Sequence, residues 1–191
     1  MPSIAKSWQI SDDGISYSFN LRKDVYFHKH ELFGKDSTRI VVAKDFEYSF
    51  NRLRDEKVAA PGSWVLNKVE AFEAVNDSVF RIQLKQPFPA FLGLLTMKYC
   101  SVVPKEVVEH YGSDFRSNPV GTGPFKFKLW EENVKLVFRK NEAYFEKDKN
   151  GNSLPYIEAI SITFLPDKQS EFLQFAQGNI DYVSGLDASY K

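Results

Sequence analysis

The chain has 191 residues, with 25 Lys plus Arg against 25 Asp plus Glu, so its net charge is zero. That balance offers no basic stripe for nucleic acid, and no apolar run approaches the roughly 18 residues that a membrane helix needs. A single cysteine, Cys100, excludes an internal disulfide framework and any multi-cysteine zinc site.

Length predicts about one domain or two small ones. An aromatic content of 15 %, with 17 Phe and 9 Tyr, favours a sheet-rich core. Trp8 and Ile10 precede the turn signal Ser11-Asp12-Asp13-Gly14, after which Ile15, Tyr17, Phe19 and Leu21 alternate with polar residues. This predicts a β-hairpin with one buried face. Tyr26-Phe27 begins another extended segment, followed by a polar loop through residues 34–39. Residues 45–54 predict a helix, with Phe46, Phe50 and Leu53 on one face and Asp45 in the first turn. A loop containing Ala59-Ala60-Pro61-Gly62 ends at Trp64.

Residues 68–75 and 78–85 flank Asn76-Asp77 and predict a second hairpin that buries Phe80, Ile82 and Leu84. Residues 90–97 are apolar on nearly every side and predict a short helix buried all round. A brief strand is expected at 101–103, then a helix over 105–111 closed by Gly112. Residues 117–130, SNPVGTGPFKFKLW, are the most punctuated stretch. Pro119 and Pro124 fix φ, Gly121 and Gly123 are expected to take φ values other residues avoid, and a strand burying Phe125, Phe127 and Leu129 follows. Residues 134–139 return as its hairpin partner. Beyond them come a solvated loop at 148–153, a strand over 157–164, a helix capped by Asp167 with Phe172 and Phe175 inward, and a strand over 180–183. The fold class expected is α+β, mostly antiparallel hairpins with short helices packed on them.

Few constellations point to chemistry. GTGP lacks the Lys-Ser/Thr and helix of a phosphate loop and reads as a structural elbow. His28 and His30 share a strand face, but Glu31 points the other way, so two exposed histidines are expected rather than a metal site. His110 lies in a helix without HExxH spacing, and a surface role is expected of it. Asp148-x-Asn150-Gly151 fails the calcium-loop pattern, since its glycine comes early and Pro155 follows. No nucleophile elbow occurs, which favours no enzyme. Cys100 stands among apolar neighbours and reads as an inert buried thiol. Trp64 stands at a loop end, where an aromatic either contacts ligand or plugs a gap between loop and sheet.

In order along nearly the whole chain, PSIAKSW, SDDGISYSFNLRK, AKDFEYSFNRL, VFRIQLKQP, NPVGTGPF and GNIDY resemble the extracellular solute-binding proteins of family 5, the oligopeptide-, dipeptide- and nickel-binding components of ABC importers. The chain departs from the resemblance at Asp24, where many relatives carry Gly, and at Val42, where Thr or Ser commonly caps the helix. The resemblance implies part of a two-lobed type II periplasmic-binding-protein fold. Residues 1–23 and 117–191 would belong to the main subdomain of the first lobe, 24–116 to its smaller subdomain, and the second lobe would lie elsewhere. Both chain ends read as interior to that larger fold.

The resemblance also implies peptide capture between closing lobes, delivery to ABC permease subunits, and a monomer peripheral to the membrane. Its location would be periplasmic or lipid-anchored on the outer face of the cell membrane. By analogy Gly62, Ser63 and Trp64 occupy the loop that places an aromatic at the ligand cleft. No cofactor, metal or nucleic acid is implied. Alternatives are the same fold binding nickel chelate, oligosaccharide or a peptide pheromone, and a protein-interaction module without small ligand.

Overall fold

The computed structural model describes residues 3–185, so the chain ends at Met1, Pro2 and 186–191 lie outside the described residues. Strands β1 (Ala5–Ile10) and β2 (Ser16–Leu21) form the first hairpin, with Trp8 opposite Phe19. The turn between them is fixed by Asp13, whose carboxylate accepts from Ile15 N at 3.0 Å, and by Gly14 at φ +68°. Helix α1 (Ala43–Arg54) precedes a second hairpin of β3 (Val69–Asn76) and β4 (Val79–Leu84). β4 pairs with β2, giving an antiparallel sheet in the order β1-β2-β4-β3. The boundary that the resemblance puts at residue 23 therefore runs between strands of one sheet.

Alternation sets the core, as period-2 patterning requires. Tyr17, Phe19 and Leu21 of β2 and Phe80, Ile82 and Leu84 of β4 are all buried on one face. α1 lies on that face, with Phe50 and Phe46 meeting Phe80 at ring-centroid distances of 5.4 and 5.6 Å. Removing each such ring from water contributes about 1.5–3 kcal/mol. Val42 cannot cap α1 with its side chain. Instead its own N–H donates to Asp45 Oδ2 at 2.9 Å, and Ala43 N reaches Asp77 O at 2.9 Å.

A second, smaller core gathers Val25, Phe27, Val41, Val102, Val107 and Val120 under helix α3 (Lys105–Tyr111). The short helix α2 (Phe91–Leu95) connects the regions. Strands β5 (Phe125–Glu131), β6 (Lys135–Lys140) and β7 (Ala159–Thr163) then form a separate three-stranded antiparallel sheet, followed by α4 (Lys168–Ala176), whose N-terminus is capped by Asp167 accepting from Ser170 N at 2.8 Å. The α+β class expected from the sequence is the one observed. No helix among the described residues is long and apolar enough to cross a membrane.

Several local expectations fail for identifiable reasons. Residues 101–103 form no strand, because Val103 N bonds the Ser49 hydroxyl of α1 at 3.0 Å rather than a ladder partner. Residues 180–183 likewise form none. α2 buries only Phe91 fully, since it lies at the lip of a groove. A register shift between Phe127 and Leu129 turns Leu129 outward and leaves Trp130 half-buried. In α4, Phe175 faces solvent rather than the interior. Neither Gly121 nor Gly123 takes a positive φ, so the elbow's course comes from its prolines and its hydrogen bonds, not from left-handed glycines.

Candidate functional site

Residues 62–66 form a single tight turn, with the 3-10 segment Ser63–Leu66 between α1 and β3. Val65 and Leu66 are buried in the core of the four-stranded sheet and anchor the turn from below. Gly62 is buried too, and lies so close to Tyr99 that a Cβ there would stand 2.2 Å from the ring's Cγ. Val65 N donates to Gly62 O at 3.0 Å and Asn67 N to Trp64 O at 3.1 Å, closing the turn on itself. With its neighbours pinned, Trp64 projects outward and is 47 % exposed; Ser63 is exposed beside it. Of the three residues singled out from the sequence, one is a packing glycine and two form a rigid, outward-facing pair.

None of the three lines the main cavity. A groove of about 830 Å³ runs between the face of the four-stranded sheet and the β5-β6 hairpin, lined by Phe19, Phe80, Phe125, Phe127 and Phe138 among others. The elbow at 119–123 forms one wall and Cys100 part of another. Burial pushes the Cys100 thiol up to about 11, so it is protonated and unreactive, as its apolar neighbours foretell.

His28 corrects the expectation of two exposed histidines. It is 8 % exposed, its N–H donates to Gly121 O at 2.8 Å, and its ring Nε2 lies 2.9 Å from Gly123 O. A carbonyl only accepts, so Nε2 carries the proton and donates. Burial lowers the imidazole below its ordinary value, outweighing the Gly123 hydrogen bond, and nearby Lys126 adds to the depression. The ring is therefore neutral at pH 7, with a bare Nδ1. Buried Asn141 donates to the same Gly123 O at 3.0 Å while its own N–H bonds Pro124 O at 2.8 Å, so the elbow is clamped from both sides. His30 is half-buried and accepts from Leu32 N, capping the next turn.

Arg39 is the other residue that local pattern does not reveal. It makes a fork onto Asp45, at 2.9 and 2.8 Å, and a second pair of bonds to Glu106. Its guanidinium lies over Phe27 at 4.9 Å. Burial disfavours its charge, but the Glu106 and Asp45 carboxylates outweigh that and hold it more firmly protonated than usual. The Arg39 hydrogen bonds in turn lower Glu106.

The loop at 148–153 uses its own acid. Asp148 accepts from Asn150 N, Asn152 N and the Tyr156 hydroxyl at 2.6–2.8 Å, which holds its carboxyl below the usual range. Among the described residues, no three His, Cys, Asp or Glu side chains come together as a metal site.

The sequence matches the family model of bacterial extracellular solute-binding proteins, family 5 Middle, over residues 1–191. Among curated proteins it is 30 % identical over 194 residues to the probable di/tripeptide-binding protein 5 of Pseudomonas aeruginosa, covering 93 % of this chain and 35 % of that protein. It is also 30 % identical over 198 residues to heme-binding protein A of Haemophilus influenzae, covering 95 % and 35 %. Among solved structures, the ABC transporter-associated periplasmic binding protein DppA of Helicobacter pylori, in complex with the peptide STSA, superposes with a TM-score of 0.85 at 29 % identity, covering 98 % of this chain and 38 % of that one. The chain thus spans about a third of the length of the relatives it matches.

Proposed function

This chain belongs to the bacterial extracellular solute-binding proteins of family 5, and from that premise we propose that it forms part of the first lobe of the substrate-binding component of an ABC importer. The complete protein captures di- and oligopeptides between two lobes and delivers them to membrane permease subunits. It is not an enzyme and uses no cofactor. It works as a monomer, periplasmic or lipid-anchored on the outer face of the cell membrane. Closure on ligand follows from the ligand's tighter binding to the closed form. Within the lobe, the four-stranded sheet that joins β1 and β2 to β3 and β4 makes the smaller subdomain together with the elements up to residue 116, and the separate sheet of β5, β6 and β7 belongs to the main one.

The observation that carries the reading is Trp64. A large exposed indole on a turn anchored by three buried neighbours is preorganised for contact, since little freedom remains to be lost on binding. Ser63 offers a hydroxyl beside it, and Gly62 fixes the turn's position. The relative from Pseudomonas aeruginosa is named for di- and tripeptides and the Helicobacter pylori structure holds a peptide, which supports the peptide reading.

Native mass spectrometry of the gently purified complete protein, followed by denaturation, tests both parts. A ladder of masses fitting short peptides is expected from the wild type. Trp64→Ala is expected to carry less, with affinity weakened by about 1–3 kcal/mol. A single sugar or metal-chelate mass would overturn the peptide assignment, and equal peptide loading and affinity in Trp64→Ala would remove Trp64 from the site.

A further inference from the structure

Five cations stand on strands β5 and β6: Lys126, Lys128, Lys135, Arg139 and Lys140. Two of them are answered by acids, Lys135 by Glu131 at 3.7 Å and Lys140 by Glu158 at 3.1 Å. Lys126, Lys128 and Arg139 have no carboxylate partner among the described residues.

These unanswered charges gather on one side of the sheet. Lys126 lies directly opposite Arg139 in the β5-β6 register. The next pair, Phe127 and Phe138, lines the groove, so alternation turns Lys126 and Arg139 to the reverse face. Lys128 joins them from the bulge between Phe127 and Leu129. Lys128 and Arg139 are exposed and Lys126 is half-buried. Like charges directly opposite each other destabilise a sheet, and Glu131, the acid in register on this face, is already engaged by Lys135.

The rest of the face is short or aliphatic. Leu129 and Val137 pair across it, and Ala159, Ser161 and Thr163 of β7 continue it. None of these residues is aromatic. Protein interfaces concentrate Tyr, Trp and Phe and are depleted in Lys, whereas a diffuse negative surface is held by clustered Lys and Arg without any pocket. Such a face fits a bilayer that carries anionic lipid better than it fits a protein.

We propose that this face docks the complete protein on an anionic bilayer surface, with Lys126, Lys128 and Arg139 set against lipid phosphates. The contact is electrostatic and reversible, and it does not depend on which ligand is carried. It goes beyond peptide capture and shares with that reading only the location at the outer face of the membrane.

Vesicle co-sedimentation tests this with the complete polypeptide, made without any lipid modification. The probes are vesicles of phosphatidylcholine alone and of phosphatidylcholine mixed with phosphatidylglycerol. Binding to the mixed vesicles only is expected, weakening as salt is raised, because exposed charges are screened. The combined variant Lys126→Gln, Lys128→Gln and Arg139→Gln should partition about a hundred-fold more weakly, at about five-fold for each cation lost from an anionic surface. A control with Lys44→Gln, Lys57→Gln and Lys149→Gln removes the same charge from exposed positions elsewhere and should partition as the wild type does. If the combined variant misfolds, Arg139→Gln alone, at an exposed position, should still lose about five-fold. Equal partitioning of the wild type and the face variant would overturn the proposal. So would an equal loss in the control, which would make net charge the cause. A wild type that ignores the anionic vesicles, with a face variant that binds permease subunits more weakly, would overturn it too and assign the face to a protein partner. Peptide loading by native mass spectrometry is read separately, so a wild type without peptide would refute the peptide reading and leave the vesicle comparison standing.

Discussion

Gly62→Ala isolates the packing that holds Trp64 in place. The backbone at Gly62, φ −93° and ψ 3°, is one that alanine adopts, so the substitution alone stabilises by about 0.4–1 kcal/mol through the unfolded chain. Against this stands Tyr99. The added methyl would lie 2.2, 2.4 and 2.5 Å from its Cγ, Cδ1 and Cβ, and Cβ is fixed to the backbone and cannot swing aside. Overpacking of this kind costs about 1–3 kcal/mol, so the expected net loss is about 1–2 kcal/mol. Urea unfolding reads it as a lowered midpoint with an unchanged slope. The decisive comparison is a double-mutant cycle with Tyr99→Ala, which removes the ring. In that background Gly62→Ala should be neutral or slightly stabilising. The same loss in both backgrounds, or a raised midpoint with Tyr99 present, would refute the close-packing account and leave Gly62 free for a direct ligand role.

Arg39→Ala strands the Asp45 carboxylate, whose side chain is only 6 % exposed. The expected loss is about 3 kcal/mol, because breaking a buried pair leaves an uncompensated charge. Glu106→Gln disturbs a more exposed partner and should cost about 1 kcal/mol or less; equal losses for the two variants in urea unfolding would refute the assignment of Asp45 as the dependent partner. His28 gives a pH dependence. Its folded pKa lies below the unfolded value of about 6.5, so the unfolded chain binds the proton first. The stabilisation is complete above about 6.5 and falls as pH drops toward the folded value. Unfolding midpoints measured from pH 7.5 to 5 should show this loss, and His28→Gln should flatten that part of the curve; an unaltered profile in the variant would place the titration elsewhere.

Short-range patterns were legible and long-range pairings were not. The hairpins at β1-β2, β3-β4 and β5-β6 follow from alternation around turn residues, because every determinant lies within a few positions. α1 and α3 are likewise readable, the latter ending at Gly112 with φ +54°. The sequence places Trp64 at a loop end, but its exposure depends on Tyr99, 35 positions on, occupying the space beside Gly62. The mistaken exposure of His28 has a similar cause. Phe27 faces the inner core, so alternation sends His28 to the other side, and that side is covered by residues 95 positions away.

That distant cover explains the elbow better than its glycines do. Gly123 O receives two donors, one from His28 and one from Asn141, and Gly121 O receives a third from the His28 backbone. The prolines restrict the chain's course and remove donors it would otherwise have to satisfy, while the carbonyls are claimed by elements on either side. His28 belongs to the segment packed with Val25 and Phe27, and Asn141 directly follows β6. The elbow therefore ties the second sheet to the first part of the chain through buried hydrogen bonds that neither element can make alone. Because each donor is buried, losing either would leave a polar group without water or partner, at a cost of about 1–3 kcal/mol. The two walls of the groove are thus held at a fixed spacing.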